Sequence, residues 1–216
     1  MAITMMLAAT HTISAQDTTG QIVSSEAGTE SVNTERAKDN YLGIQWNPSN
    51  FVPEKGSSSS YTGFSAVFGC TGRISVKNPK NPLCSDFFLK FQYSTRDKDN
   101  VDFSMSELKM GVGFGLGFNI PNSHVTIVPL AGFYYGYRLS AKAKSGGTTI
   151  NYFDEDDMGG SGNTWTEMPI GWYAGLHTNI NNCVVLRATY GKDFNNLGEN
   201  VKTKIQTTSI TLGFCF

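Results

Sequence analysis

The chain has 216 residues, of which 39% are hydrophobic and 12% aromatic, with 23 glycines and a formal net charge of -1. That length suits one sizeable domain, and the balance of charge excludes nucleic acid as a partner, because neutralising phosphates takes a basic excess on one face. No window holds the about 18 to 20 apolar residues that a membrane-spanning helix needs, whereas a barrel crosses with strands of about 9 to 11 residues whose apolar signal sits on alternate positions.

Met1 to Gln16 carries an apolar run (Met5-Met6-Leu7-Ala8-Ala9) and then small residues at Ser14 and Ala15, which reads as a signal peptide over residues 1–16 although no Lys or Arg precedes the run. Residues 17–38 are polar without a sustained apolar period and read as a flexible segment. The remainder, 39–216, is a succession of period-2 segments. Leu42, Ile44 and Trp46 share one face of a first strand, and the Pro- and Ser-containing stretch from Asn47 to Ser60 reads as a loop. A second strand begins near Tyr61, with Phe64, Ala66 and Phe68 opposed to Ser65, Thr71 and Arg73. After a Pro/Asn turn at 78–82, Phe87, Leu89, Phe91 and Tyr93 make a third strand that ends in the charged loop 96–100.

The fourth strand is the clearest. Leu108, Met110, Val112, Phe114, Leu116, Phe118 and Ile120 alternate with Lys109, Gly111, Gly113, Gly115, Gly117 and Asn119. Four interior glycines would cost a helix about 1 kcal/mol each, while on the inner face of a barrel they leave room for large side chains from other strands, Tyr134 being a candidate. A fifth strand runs from Val125 to about Ala141, a Gly- and acid-rich loop spans 142–164, and a sixth strand carries Met168, Ile170, Trp172, Ala174 and Leu176. Val184 to Tyr190 and the C-terminal Thr207 to Phe216 supply the last two.

Eight strands with short turns near Lys80, Asn122 and Asn181 and mostly longer connections at the other end predict an all-β, eight-stranded antiparallel up-and-down transmembrane β-barrel. Trp46, Tyr61, Tyr93, Tyr137, Trp165 and Tyr190 fall where strands meet the long loops and are expected to form an aromatic girdle. The blocks Glu107 to Tyr137 and Pro169 to Phe216 resemble the outer-membrane β-barrel domain family, porin-like or PorT-like, and the resemblance covers nearly everything after Asn40. It implies an outer-membrane location, with a closing strand whose Phe214 and Phe216 are read by the barrel-assembly machinery; the penultimate Cys215 departs from that pattern.

Inner parity collects Arg73, Lys77, Lys90, Lys109, Arg138 and Arg187 with Asp86, Glu107 and Glu167. Eight strands enclose only enough space for side chains, so these charges are expected to form a salt-bridged plug and not a solute path. Cys183 and Cys215 share that parity on neighbouring strands and are the preferred disulfide; Cys70 and Cys84 either pair across a bulge or remain thiols. The run Asp154 to Asp157 lacks calcium-loop spacing, because Met158 and Trp165 stand where ligands are required, and it reads as a solvated loop. His177 beside Thr178 is a poor catalytic pair. The sequence therefore predicts a monomeric, non-enzymatic outer-membrane barrel without cofactor or metal, in contact with lipid, whose external loops serve a structural, adhesion or secretion-accessory role toward an unassigned partner. Two other readings are a secreted, soluble, lipocalin-like ligand-binding barrel and, with less support, a lipid-modifying enzyme.

Overall fold

Alternation along these strands separates two chemistries, and the chain closes on itself with the apolar one outside. The computed structural model describes residues 38–74, 81–98 and 100–216, so the expected signal peptide and all of the polar segment but Lys38 lie outside the described residues, as does Lys77. The strands are β1 (Lys38–Pro53), β2 (Ser59–Arg73), β3 (Leu83–Lys98), β4 (Val101–Leu116), β5 (Phe118–Asn119), β6 (Val125–Ser145), β7 (Thr148–Asn151), β8 (Ile170–Ile180), β9 (Val184–Asp193) and β10 (Thr203–Cys215). Eight of them are long and make a continuous antiparallel order β4-β3-β2-β1-β10-β9-β8-β6, closed by the β4–β6 pairing. The dipeptide β5 continues the β4 side of that pairing, and β7 folds back on β6.

Closure leaves no sheet edge among these eight strands, so every strand's ladder is shared with two neighbours. Outward positions are apolar: Ile44 is 72% exposed, Phe114 65% and Phe133 62%. Inward positions carry the polar and charged groups. A lipocalin-like barrel needs the reverse arrangement, and that reading is overturned. Among the described residues, no helix is long and apolar enough to cross a membrane.

Several strands run further than their apolar signal. Asn47 to Pro53, read from the sequence as loop, continues β1, with Asn47 and Ser49 buried inside. Pro48 has no N–H to give, and the β1–β10 register is interrupted between Trp46 and Ser49 while the β1–β2 register runs through. The charged segment 96–100 is likewise no long loop, because β3 and β4 pair out to Lys98 and Val101. Beyond the expected end of the fifth strand, β6 reaches Ser145 and turns through Gly146 and Gly147, both at positive φ, into β7. A bulge opposite Ser106 and Glu107 leaves Leu139 unpaired with β4 and shifts the inward positions from Arg138 to Ala141 and Ala143.

Large inward rings sit against glycines of neighbouring strands. A Cβ on Gly111 would collide with the Phe88 ring, and one on Gly171 with Tyr134. Tyr134 therefore occupies a gap in β8, not the glycine face of β4 for which the sequence suggested it.

Candidate functional site

The lumen is filled in successive layers. At the end bearing the short turns, Tyr41, Val67, Cys84, Phe88, Val128, Leu130, Tyr173 and Val185 form one buried cluster. Against it lies an ionic layer. Arg187 on β9 makes a bidentate pair with Asp86 on β3, Nη1 to Oδ1 at 2.7 Å and Nη2 to Oδ2 at 2.9 Å. Asp86 also accepts from Thr71 at 2.8 Å and from the Tyr173 hydroxyl at 2.7 Å.

A second ionic group is built around Arg138, whose Nε donates to Glu107 at 3.0 Å and whose Nη2 donates to Asp193 at 2.7 Å. Lys109 lies 2.8 Å from the other Glu107 oxygen, and Tyr134 donates to Asp193. Beside these layers runs an uncharged network: Gln45 donates to Thr211 at 2.7 Å, while Asn47 donates to Ser65 and accepts from Ser209, each at 2.8 Å. Buried charges of this kind persist when paired and hydrogen-bonded.

Of the inner charges named from sequence, the structure brings Lys90, Lys109, Arg138 and Arg187 together with Asp86 and Glu107 and leaves Arg73 half-buried. Glu167 belongs elsewhere. It precedes β8, is exposed, and accepts from the Tyr137 hydroxyl at 2.6 Å, so it supports the girdle and not the plug. Its place inside is taken by Asp193, which reads in sequence as the start of a loop but is the last residue of β9.

The aromatic belt differs in the same way. Trp46, Tyr93, Tyr137 and Tyr190 are outward and exposed, whereas Tyr61 is 4% exposed and faces the interior. Trp165 packs on the same inner cluster as Tyr61. Tyr61 shares the parity of Ser65 and Thr71 on β2, opposite to Phe64, and is therefore inward, while Trp165 precedes β8 in the segment that folds over the lumen. Phe214 and Phe216 on the closing segment point outward, 61% and 64% exposed.

Among the described residues no disulfide is formed, so the expected Cys183–Cys215 bridge is absent. Cys183 is exposed, and its carbonyl accepts the Cys215 N–H at 2.7 Å; the Cys215 sulfur accepts from Asn179 at 3.5 Å. Cys84 is buried and inward while Cys70 lies on the outward parity of β2, so the barrel wall stands between them.

At the end with the longer connections, which is external in outer-membrane barrels, the loops form a folded cap. Helix α1 (Glu155–Met158) is capped by the Asp154 side chain on the Asp156 N–H and ended by Gly159 in the left-handed region, so the acidic run is an ordered turn. Trp165 N donates to Tyr152 O at 2.8 Å, Asn200 N donates to Gly162 O at 2.8 Å, and Thr166 N donates to Leu197 O, which ties segments 152–169 and 194–202 together. Beneath them Tyr61, Phe103, Met105, Ala141, Leu197 and Ile205 seal the lumen.

On this seal opens a pocket of about 250 Å³ lined by Phe51, Arg96, Lys98, Val101, Phe103, Tyr152 and Trp165. Tyr152 and Trp165 stack at 4.2 Å, and Phe51 and Phe103 meet Trp165 at 5.6 and 5.9 Å. Burial raises the Tyr152 phenol above its ordinary range, and the nearby Arg96 opposes the rise. Both charged groups of the lining are cations, Arg96 half-buried and Lys98 exposed. Sequence reading missed this site, because Arg96 and Lys98 look like loop charges until β3 is seen to carry them on its inward parity. Among the described residues, no group of His, Cys, Asp and Glu is placed to hold a metal ion.

No protein-family model matches the chain, and no curated protein matches it. Solved structures do. It is similar to Ail, the attachment invasion locus protein of Yersinia pestis, at 16% identity over 83% of this chain and 99% of that one, with a TM-score of 0.51. Neisserial surface protein A aligns at 16% identity over 82% of this chain and 97% of that one, with a TM-score of 0.50. The outer membrane enzyme PagL aligns at 11% identity over 78% and 97%, with a TM-score of 0.46. The chain is thus a closed eight-stranded antiparallel barrel of the outer-membrane type, and its apolar exterior places it in the outer membrane.

Proposed function

We propose that this chain is a non-enzymatic outer-membrane barrel that works through its external end, by attachment to an acidic saccharide at the mouth pocket. One contrast carries the reading: the lumen is closed by two buried clusters and an ionic layer, while the cavity open at the mouth pairs aromatic walls with Arg96 and Lys98. Aromatic rings cover the apolar faces of sugars, and a guanidinium and an ammonium recognise carboxylate or sulfate groups. The two histidines among the described residues favour the same reading. His124 is exposed in a turn, and His177 is fully buried against Tyr41 at 5.5 Å, with neither ring nitrogen hydrogen-bonded. A general acid or base must reach its proton at the substrate.

The test uses the full chain in lipid nanodiscs, with dextran sulfate and neutral dextran as probes. Dextran sulfate is expected to bind with an affinity that falls as salt rises, and the double variant Arg96→Gln/Lys98→Gln to weaken it at least tenfold while keeping the heat-dependent gel mobility of the barrel. Equal binding of both polymers, or no change in the variant, would refute the assignment.

A further inference from the structure

Beside the ionic layers, midway along the lumen, is a second cavity of about 30 Å³. Three cationic side chains, Lys90, Lys109 and Arg187, and the polar groups of Gln45, Thr207 and Ser209 contribute to its wall, and no carboxylate lines it among the described residues. Its volume accommodates one or two water-sized particles.

The buried charges around it do not balance. Among the described residues, the buried cations Lys90, Lys109, Arg138 and Arg187 face three buried carboxylates, Asp86, Glu107 and Asp193. All three carboxylates are committed: Asp86 to Arg187, Glu107 to Lys109 and Arg138, and Asp193 to Arg138. Lys90 is the cation left over. It is 7% exposed, and the polar contact of its ammonium is the Gln45 amide oxygen at 3.2 Å, with the Phe88 ring centroid 6.0 Å away. Arg73, half-buried toward the short-turn end, adds no negative charge. An ammonium in such surroundings loses its hydration without a counter-charge, which is costly.

We propose that this cavity binds a small monovalent anion, of the size and charge of chloride, as the counter-ion of Lys90. The cradle presents ammonium, guanidinium and hydroxyl donors, and its volume excludes phosphate esters and other polyatomic ligands of larger bulk. The ion completes the ionic layer and, among the described residues, balances the four buried cations against the three buried carboxylates. Its role is structural, so this site stands or falls independently of the mouth pocket.

The experiment follows the midpoint of heat-dependent gel mobility for the full chain in a non-ionic detergent, with sodium chloride exchanged for sodium gluconate at constant ionic strength. A ligand that binds only the folded barrel shifts the folded-to-unfolded ratio by about 100-fold at 100 times its dissociation constant, so the midpoint is expected to rise with the logarithm of chloride concentration. Bromide is expected to substitute, and Lys90→Met, which keeps the length of the side chain without its charge, to abolish the dependence. Anomalous diffraction from crystals grown in bromide is expected to show a peak in the cavity, a readout that needs no variant. A midpoint indifferent to chloride, an undiminished dependence in Lys90→Met, or a cavity without the bromide peak would each overturn the proposal.

Discussion

Arg187 and Asp86 meet across the whole width of the barrel. They lie 101 residues apart in sequence, on β9 and β3, and each strand is the fourth neighbour of the other in either direction round the sheet. A bidentate pair between opposite walls fixes the lumen's diameter at that level as well as neutralising both charges.

Removing one member of such a pair strands the other in an environment that cannot hydrate it. Asp86→Asn is therefore expected to destabilise the barrel by about 3–5 kcal/mol in urea unfolding from detergent. Replacing both, as Asp86→Leu/Arg187→Met, is expected to recover most of that loss. If the single and double variants are equally unstable, the pair is not what matters at this level.

Phe133 tests the outer face. An arginine at mid-membrane depth costs about 2–4 kcal/mol and one near the interface about 0–1. Phe133→Arg is expected to fall in the first range, and Thr95→Arg, outward on β3 between Tyr93 and Asp97, in the second. Unfolding in lipid vesicles measures both, and equal costs would show that Phe133 does not face lipid.

How far the sequence spoke can be judged on single elements. In β4 the alternation of bulk and glycine gave the strand, its two faces and its orientation, because one period and one face were enough. In β6 the same reasoning carried to Leu139, outward as expected: the bulge there swaps the parity beyond it, and nothing in the composition of Leu139-Ser140 announces it. Tyr61 stands three residues before Phe64 and so on the opposite, inward parity of β2, while Trp165 and Glu167 precede β8, where no alternation applies. The ends of β1 and β3 were read as loop because strands extending beyond the membrane lose their apolar partners outside while keeping their ladders, so the pattern ends before the strand does. The cap had a local signal in Asp154 and Gly159 at the two ends of α1, but its tie to segment 194–202 is long-range and leaves no periodic trace.

The cap depends on Trp165, which stacks on Tyr152 and reaches Phe51 and Phe103. Trp165→Ala is expected to open segment 152–169 to proteinase K at least tenfold faster than in the parent chain, with the barrel strands surviving as a protected fragment. Mass spectrometry of the products locates the cuts. Unaltered protection would mean that the loop is held without this ring.

A lumen closed at several levels has an electrical consequence. In planar bilayers the purified chain is expected to show no steady conductance above the bare membrane, and Arg138→Ala together with Tyr61→Ala, which empties side chains from the ionic layer and the external seal, to introduce measurable leak. Stable open channels in the parent chain would contradict a filled interior.

The most direct measurement separates the membranes of cells expressing the full chain and compares the gel mobility of boiled and unboiled outer-membrane fractions. A closed barrel seated in lipid is expected in that fraction, as a compact band before boiling that changes mobility after it. Recovery in the soluble fraction, or a single mobility under both conditions, would contradict a closed barrel in the outer membrane.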